Sequence, residues 1–251
     1  MKKKIGCIIE ARTNSRRLPN KVLLPVLNKP ILYWLLKRIK KIEEIDEIVL
    51  ATTINKNDDV LVEFAKKNKI KFFRGSEKNV VSRVCGAAKK FNIKIIVEIT
   101  GDCPVIDINI VKQSIEIFKK NSTVYVNNCN YRSYPDGMDV QIFDTNSLKK
   151  SLKNARDKKE LEHVGLHLIR NPKKFRTINM IAPKKNYFPL LGLTLDEEKD
   201  YILLKKIIEH FGKKNPYFTC EEIIKLLNKK KSWKKINIKV KRIGSNVYKN
   251  R

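Results

Sequence analysis

The sequence predicts an α/β domain with a mostly parallel sheet covered by helices. Strand-length apolar runs alternate with helix-period segments through the first half, the signature of that architecture. No internal repeat or Gly/Ser-rich linker interrupts the series, and the rhythm changes only after Ser122. With 251 residues, 42% of them hydrophobic, the chain can bury a sizeable single core.

Residues 5–10 (IGCIIE) read as the first strand. Residues 31–41 read as a helix, with Ile31, Leu32, Leu35, Leu36 and Ile39 on one face. A second strand is expected at 47–52 (EIVLAT), a helix at 60–68, a short strand at 71–73 and a helix at 80–91. Residues 95–100 (IIVEIT) form the third long strand, followed by a helix at 108–119. Beyond Ser122, extended segments at 123–127 and 138–143 flank Tyr134-Pro135-Asp136-Gly137, a strong turn signal. Helices are expected at 147–154 and 158–170, a strand at 175–180 and a helix at 197–211. Thr219-Cys220-Glu221-Glu222 has the pattern of a capping box and opens a last helix to residue 228. The expected division is one domain over 1–228, with an insertion at about 123–145, and a lysine-rich, extended tail over 229–251.

Composition excludes several classes. No apolar run approaches the roughly 20 residues that span a bilayer. The apolar stretch after the basic N-terminus is cut short by Glu10 and Arg12, so a secretory signal is not expected and a cytoplasmic protein is. Five well-separated cysteines with no C-x-x-C pair suggest neither a zinc module nor a disulfide scaffold. The net charge of +29 invites a nucleic-acid reading. The lysines, however, are scattered as pairs and triplets along the whole chain, with no RNA-binding aromatic motif or helix-turn-helix signature. That scatter favours solvated surface over a nucleic-acid interface.

Three segments carry candidate chemistry. The first strand runs into Ala11-Arg12-Thr13-Asn14-Ser15-Arg16-Arg17-Leu18-Pro19-Asn20-Lys21, placing four cations where open α/β sheets bind ligands. Arginine grips phosphate oxygens bidentately and lysine adds a point charge, so the loop suits a triphosphate; the bland alternative is a solvated basic turn. It lacks the glycines and Gly-Lys-Ser/Thr ending of a Walker A loop. Thr100-Gly101-Asp102-Cys103-Pro104 presents a carboxylate at the end of the third long strand. Such a carboxylate suits magnesium, or else only caps the following turn. Asp196, at the end of the Leu193-Thr194-Leu195 alternation, reads either as a helix cap or as a second metal carboxylate.

The loop pattern A-R-x-x-S-x-R-L-P-x-K resembles the signature of cytidylyltransferases that make CMP-activated acidic sugars, most closely the spore-coat polysaccharide biosynthesis proteins of the F type. Further matches follow in the family's order: residues 75–83 (GSEKNVVSR), Gly101-Asp102-Cys103-Pro104, Asn127-Asn128 leading to residues 134–140, Glu162-His163-Val164, and Leu195-Asp196. The resemblance implies the Rossmann-like three-layer nucleotide-diphospho-sugar transferase fold, with a small β-hairpin insertion that serves dimerisation. It implies a magnesium-dependent enzyme taking CTP and an acidic sugar, acting as a homodimer in polysaccharide or glycan biosynthesis. Ala11, Arg12, Ser15, Arg17 and Lys21 would hold the triphosphate, and Arg83 would lie near the nucleotide. Asp102 and Asp196 would bind magnesium, with Arg12, Lys21 and Asp102 carrying catalysis. Asp136, Asp139 and Gln141 would face the sugar. His163 matches a family segment or is a packed helix residue. Asn20 stands where the family has glycine, which asparagine's tolerance of left-handed backbone accommodates. Ser82 and Gln141 stand where aspartate and glutamate are common. The competing readings are a guanylyl- or other nucleotidyltransferase acting on a sugar phosphate, and a glycosyltransferase of similar fold.

Overall fold

The protein is described by a computed structural model covering residues 3–242. The strands are β1 (Ile5–Glu10), β2 (Pro25–Val26), β3 (Lys29–Pro30), β4 (Glu47–Thr53), β5 (Lys71–Gly75), β6 (Ile95–Thr100), β7 (Tyr125–Asn127), β8 (Gln141–Asp144) and β9 (Thr177–Asn179). The helices are α1 (Ile31–Ile39), α2 (Asp59–Lys67), α3 (Val80–Lys90), α4 (Ile108–Lys120), α5 (Thr145–Asn154), α6 (Lys158–Glu162), α7 (Leu166–Arg170), α8 (Glu198–Phe211), α9 (Cys220–Lys229) and α10 (Lys231–Lys234).

Seven strands form one sheet in the order β5-β4-β1-β6-β8-β7-β9, and only β8 runs against its neighbours. Strand alternation splits the apolar residues between two faces. Ile5, Cys7 and Ile9 of β1 and Ile95, Val97 and Ile99 of β6 pack with α1, α4, α8 and α9. Ile8 and Ile96 face the other way, against α3, α5 and α7. Three α/β/α layers result, with both faces of the sheet buried, which is why the central strands read as continuous apolar runs. Among the described residues no helix is long and apolar enough to cross a membrane.

Three elements differ from expectation. The hairpin expected as an insertion does form, with β7 pairing antiparallel to β8, but β8 also pairs with β6 and β7 with β9. It therefore extends the main sheet and satisfies the edge that β6 would otherwise expose. The connection over 128–140 lies outside the strands and is mostly buried, with Tyr131 exposed. The single helix expected over 158–170 is two short ones, α6 capped by Asp157 and α7 beginning beyond Gly165. The expected tail is packed where it is described: α10 lies against α9, Asn237 is buried, and Arg242 pairs with Asp200. Residues 243–251 of that tail lie outside the described residues.

Candidate active site

The site lies at the carboxyl ends of β1, β4 and β6, which are adjacent and parallel. The chain crosses from β5 at one end of the sheet to β6 on the far side of β1, so β1 marks the reversal of strand order. Open α/β sheets bind ligands at such a point.

The loop after β1 is held from beneath. Asp58, buried beyond the end of β4, accepts from Thr13 N and Oγ1 (both 2.7 Å), Thr52 Oγ1 (3.0 Å), and Thr53 N (3.2 Å) and Oγ1 (2.5 Å). Burial works against its charge, but the hydrogen bonds from Thr53 and Thr13 outweigh that and hold the carboxyl below the usual aspartate range. Thr13 O in turn accepts from Ser15 N and Asn20 N, each at 2.9 Å. Asn20 closes the loop at φ 56°, the left-handed conformation expected where the family has glycine.

Lys21, in the short 3-10 turn Lys21–Leu23, directs its ammonium between the other two candidate segments. Lys21 Nζ donates to Asp102 Oδ2 at 2.7 Å and to Asp196 Oδ1 at 3.2 Å. Thr100 Oγ1 donates to the other oxygen of Asp102 at 2.5 Å. Burial opposes both charges, yet each sustains the other. Lys21 is raised by Asp102 and Asp196, while Asp102 is lowered by Lys21 and the bond from Thr100. Backbone links fix the two acids: Leu195 N donates to Asp102 O at 2.8 Å. Arg17 completes the cluster, 2.9 Å from Asp196 and 3.7 Å from Glu197. Asp102 and Asp196, 94 positions apart in sequence, thus converge on one cation.

The remaining expected residues are spread over several settings. Arg12 reaches the opposite wall, 3.3 Å from Glu77, which Asn14 and Asn55 also engage. Ala11 is packed under the loop, Ser15 is half-buried, and Arg16 is exposed. Arg83 is buried rather than open to the cleft: it donates to Ser76 O at 2.5 Å and lies 3.3 Å from Glu10, locking α3 to the end of β1. Asp136 and Asp139 both surround Arg132, which Asp139 grips through two 2.8 Å bonds while Asp136 stands 3.3 Å away. Gly137, at φ 103°, passes so close to the Leu193 backbone that a side chain there would collide with it. Asp136 is held by Leu191 O at 2.9 Å and by Leu193 N at 2.6 Å, which ties the 128–140 loop to the segment carrying Asp196. Burial and the neighbouring Asp139 push the Asp136 carboxyl up to about 7. Gln141 is committed inside the sheet, accepting from Tyr125 OH at 2.5 Å and donating to Glu98 at 2.7 Å, so it supports this wall from behind. His163 is half-buried at the end of α6, and burial lowers its pKa.

Sequence reasoning passed over Asp58, Glu77, Arg132, Asp200 and the pair Glu10 and Glu98. Burial, then the charge of Glu10, raises Glu98 well above the usual carboxylate range. An acid at 98 inside the otherwise apolar run IIVEIT was the available signal.

The donor chemistry fits magnesium. Two carboxylates already close on a cation, facing the cationic loop, and magnesium is usually held by one or two carboxylates plus substrate phosphates. Asp102 and Asp196 would hold it. Among the described residues no cluster of three or more His, Cys, Asp or Glu offers a denser cage.

The sequence profile of a family described as cytidylyltransferase matches residues 6–242. The spore coat polysaccharide biosynthesis protein SpsF of Bacillus subtilis is 30% identical over 227 residues, 88% of this chain and 93% of that protein. A 3-deoxy-manno-octulosonate cytidylyltransferase of Francisella tularensis is 29% identical over 125 residues, 49% of each chain. The solved structure of a cytidylyltransferase from Leptospira borgpetersenii superposes with TM-score 0.88 at 34% identity, over 96% of this chain and 99% of that one. The matched span takes in all seven strands of the sheet but for Ile5, together with every residue of the strand-end edge, and the chain belongs to the cytidylyltransferase family, a CTP-dependent nucleotidyltransferase.

Proposed function

We propose that this enzyme transfers CMP from CTP to a hydroxyl of an acidic sugar and releases pyrophosphate. The observation that carries the reading is the Lys21 ammonium clasped by Asp102 and Asp196 at the sheet's ligand edge, with Arg17 beside it. The acceptor class is supported by the relatives: one acts on 3-deoxy-manno-octulosonate, itself an acidic sugar, and another serves polysaccharide biosynthesis.

The acceptor oxygen forms a bond to the α-phosphorus in line with the departing bridge oxygen, and pyrophosphate leaves with the electron pair of the broken bond. Such transfers depend on positioning and charge neutralisation more than on covalent help from the protein. Arg12, Arg17 and Lys21 exchange their carboxylate partners for the triphosphate and neutralise the leaving group. Bound magnesium supplies Lewis-acid polarisation of the phosphate. Asp136, raised to about 7 and tied to the segment that carries Asp196, accepts the proton of the attacking hydroxyl. Arg132, fixed by Asp139, holds Asp136 in place.

Asp102→Asn tests the assignment. It keeps the side chain's shape but removes one charge from the cation site, and pyrophosphate release should fall about 10²–10³-fold with the fold intact. Release close to that of wild type would sink the metal and phosphate assignment.

A further inference from the structure

The segment after α10 returns to the site from behind, through the Asp200 carboxylate. Asp200, in the first turn of α8, is fully buried. Its Oδ2 accepts from Asp196 N at 3.1 Å and Glu197 N at 3.0 Å, fixing the backbone on which the Asp196 carboxylate is mounted. Two residues from the chain's far end complete its shell. Arg242 donates to both oxygens, at 2.7 and 3.0 Å, and Asn237 Nδ2 donates at 2.7 Å. Asn237 also donates to Gly192 O at 2.9 Å, and the Arg242 guanidinium lies so close over Gly192 that any side chain at 192 would collide with it. The neighbouring Lys241 O accepts from Arg17 NH1 at 3.4 Å.

Helix capping alone does not call for this arrangement. The two backbone donors satisfy an ordinary capping carboxylate at a helix start, and no guanidinium is needed. A fully buried carboxylate needs a compensating cation, and among the described residues Arg242 supplies it. Without Arg242 the Asp200 carboxylate loses the two-pronged grip that holds it in place, and its hold on Asp196 N and Glu197 N loosens.

We infer that Arg242 and Asn237 are positioning residues for the cation site: acting through Asp200, they fix the orientation of Asp196, while the Lys241 carbonyl steadies Arg17. The inference rests on the magnesium role proposed for Asp102 and Asp196. Groups that orient metal ligands from behind commonly contribute about 10–100-fold in metal affinity or activity.

The test measures Mn2+ binding to the full chain with CTP present, from the electron paramagnetic resonance signal of free Mn2+, alongside Tm and near-UV circular dichroism. Arg242→Ala should weaken Mn2+ binding about 10–100-fold while keeping native near-UV signal. Arg242→Lys, with charge but no paired fork, should fall between Arg242→Ala and wild type. Wild-type Mn2+ affinity in folded Arg242→Ala, with only Tm lowered, overturns the inference and leaves Arg242 a stabilising residue. If Arg242→Ala does not fold, Arg242→Lys decides: affinity equal to wild type overturns the inference and weakened affinity supports it. Absence of Mn2+ binding by the wild-type protein would instead refute the underlying metal assignment.

Discussion

Lys21→Met separates the two jobs of the Lys21 ammonium, its pairing with Asp102 and Asp196 in the structure and the triphosphate role proposed for it. Methionine keeps the length and apolar stem of lysine but removes the cation between Asp102 and Asp196, leaving Arg17 beside Asp196 alone. An exposed ion pair contributes about 0–1 kcal/mol, whereas breaking a buried one costs about 3–5 kcal/mol. The side chains of Lys21, Asp102 and Asp196 are 13%, 23% and 16% exposed, so this site lies between those limits. Discounting for that exposure leaves a loss of about 2 kcal/mol in metal-free buffer, equivalent to a fall in Tm of about 4–8 °C for a chain of this size. A divalent cation restores the missing charge, so magnesium should raise the Tm of the variant more than that of wild type. Turnover should fall about 10²–10³-fold even at saturating magnesium, because the triphosphate loses its cation. The assay is thermal unfolding with and without magnesium, paired with pyrophosphate release. A metal-free Tm equal to that of wild type, or an equal magnesium response, would refute the reasoning.

Two further outcomes follow from the same geometry. Asp58→Asn puts an amide among five donated hydrogen bonds and should cost about 1–3 kcal/mol in urea denaturation. Because the folded Asp58 carboxyl lies below its unfolded value of about 4, its contribution is complete above that value and disappears as pH falls through the folded one; acid lability should be smaller in Asp58→Asn. Asp136 faces Asp139, Arg132, Arg242 and Asp196, and its carboxyl stands at about 7, so its charged, proton-accepting form appears as pH rises. The kcat/KM profile should therefore climb through about pH 7, and Asp136→Asn should lose that limb. An unchanged limb in the variant removes Asp136 from the proton step.

Local patterns were legible wherever the physics was local. The β1 and β6 spans follow from largely apolar, strand-length runs, and the Thr219–Glu222 capping box forms as its spacing predicts. The strand-end loop and the two candidate metal carboxylates were nameable because each directly follows a strong apolar segment. What remained hidden depends on contacts between distant positions. Lys56-Asn57-Asp58-Asp59 reads as a polar turn, and only the fold brings Asp58 to Thr13. Gln141 looks like a pocket residue by its place in the motif, but its position opposite Glu98 on β6 turns it inward. The lysine-rich stretch after α9 looks like tail by composition, yet Asn237 and Arg242 within it complete the shell of a carboxylate far earlier in the chain. The helix expected across 158–170 divides around 163–165, where Gly165 packs so closely on Tyr125 and Gln141 that a side chain there would collide, a long-range contact that local periodicity does not show.

The central claim is cytidylyl transfer to an acidic sugar. Its most direct test is pyrophosphate release by the wild-type enzyme with each of the four nucleoside triphosphates, crossed with a panel of ulosonic acids, nonulosonic acids and sugar phosphates. The account predicts release with CTP and an acidic sugar, dependent on magnesium and lost in Asp102→Asn. Release with GTP and a sugar phosphate, with none from CTP and any acidic sugar, would contradict it.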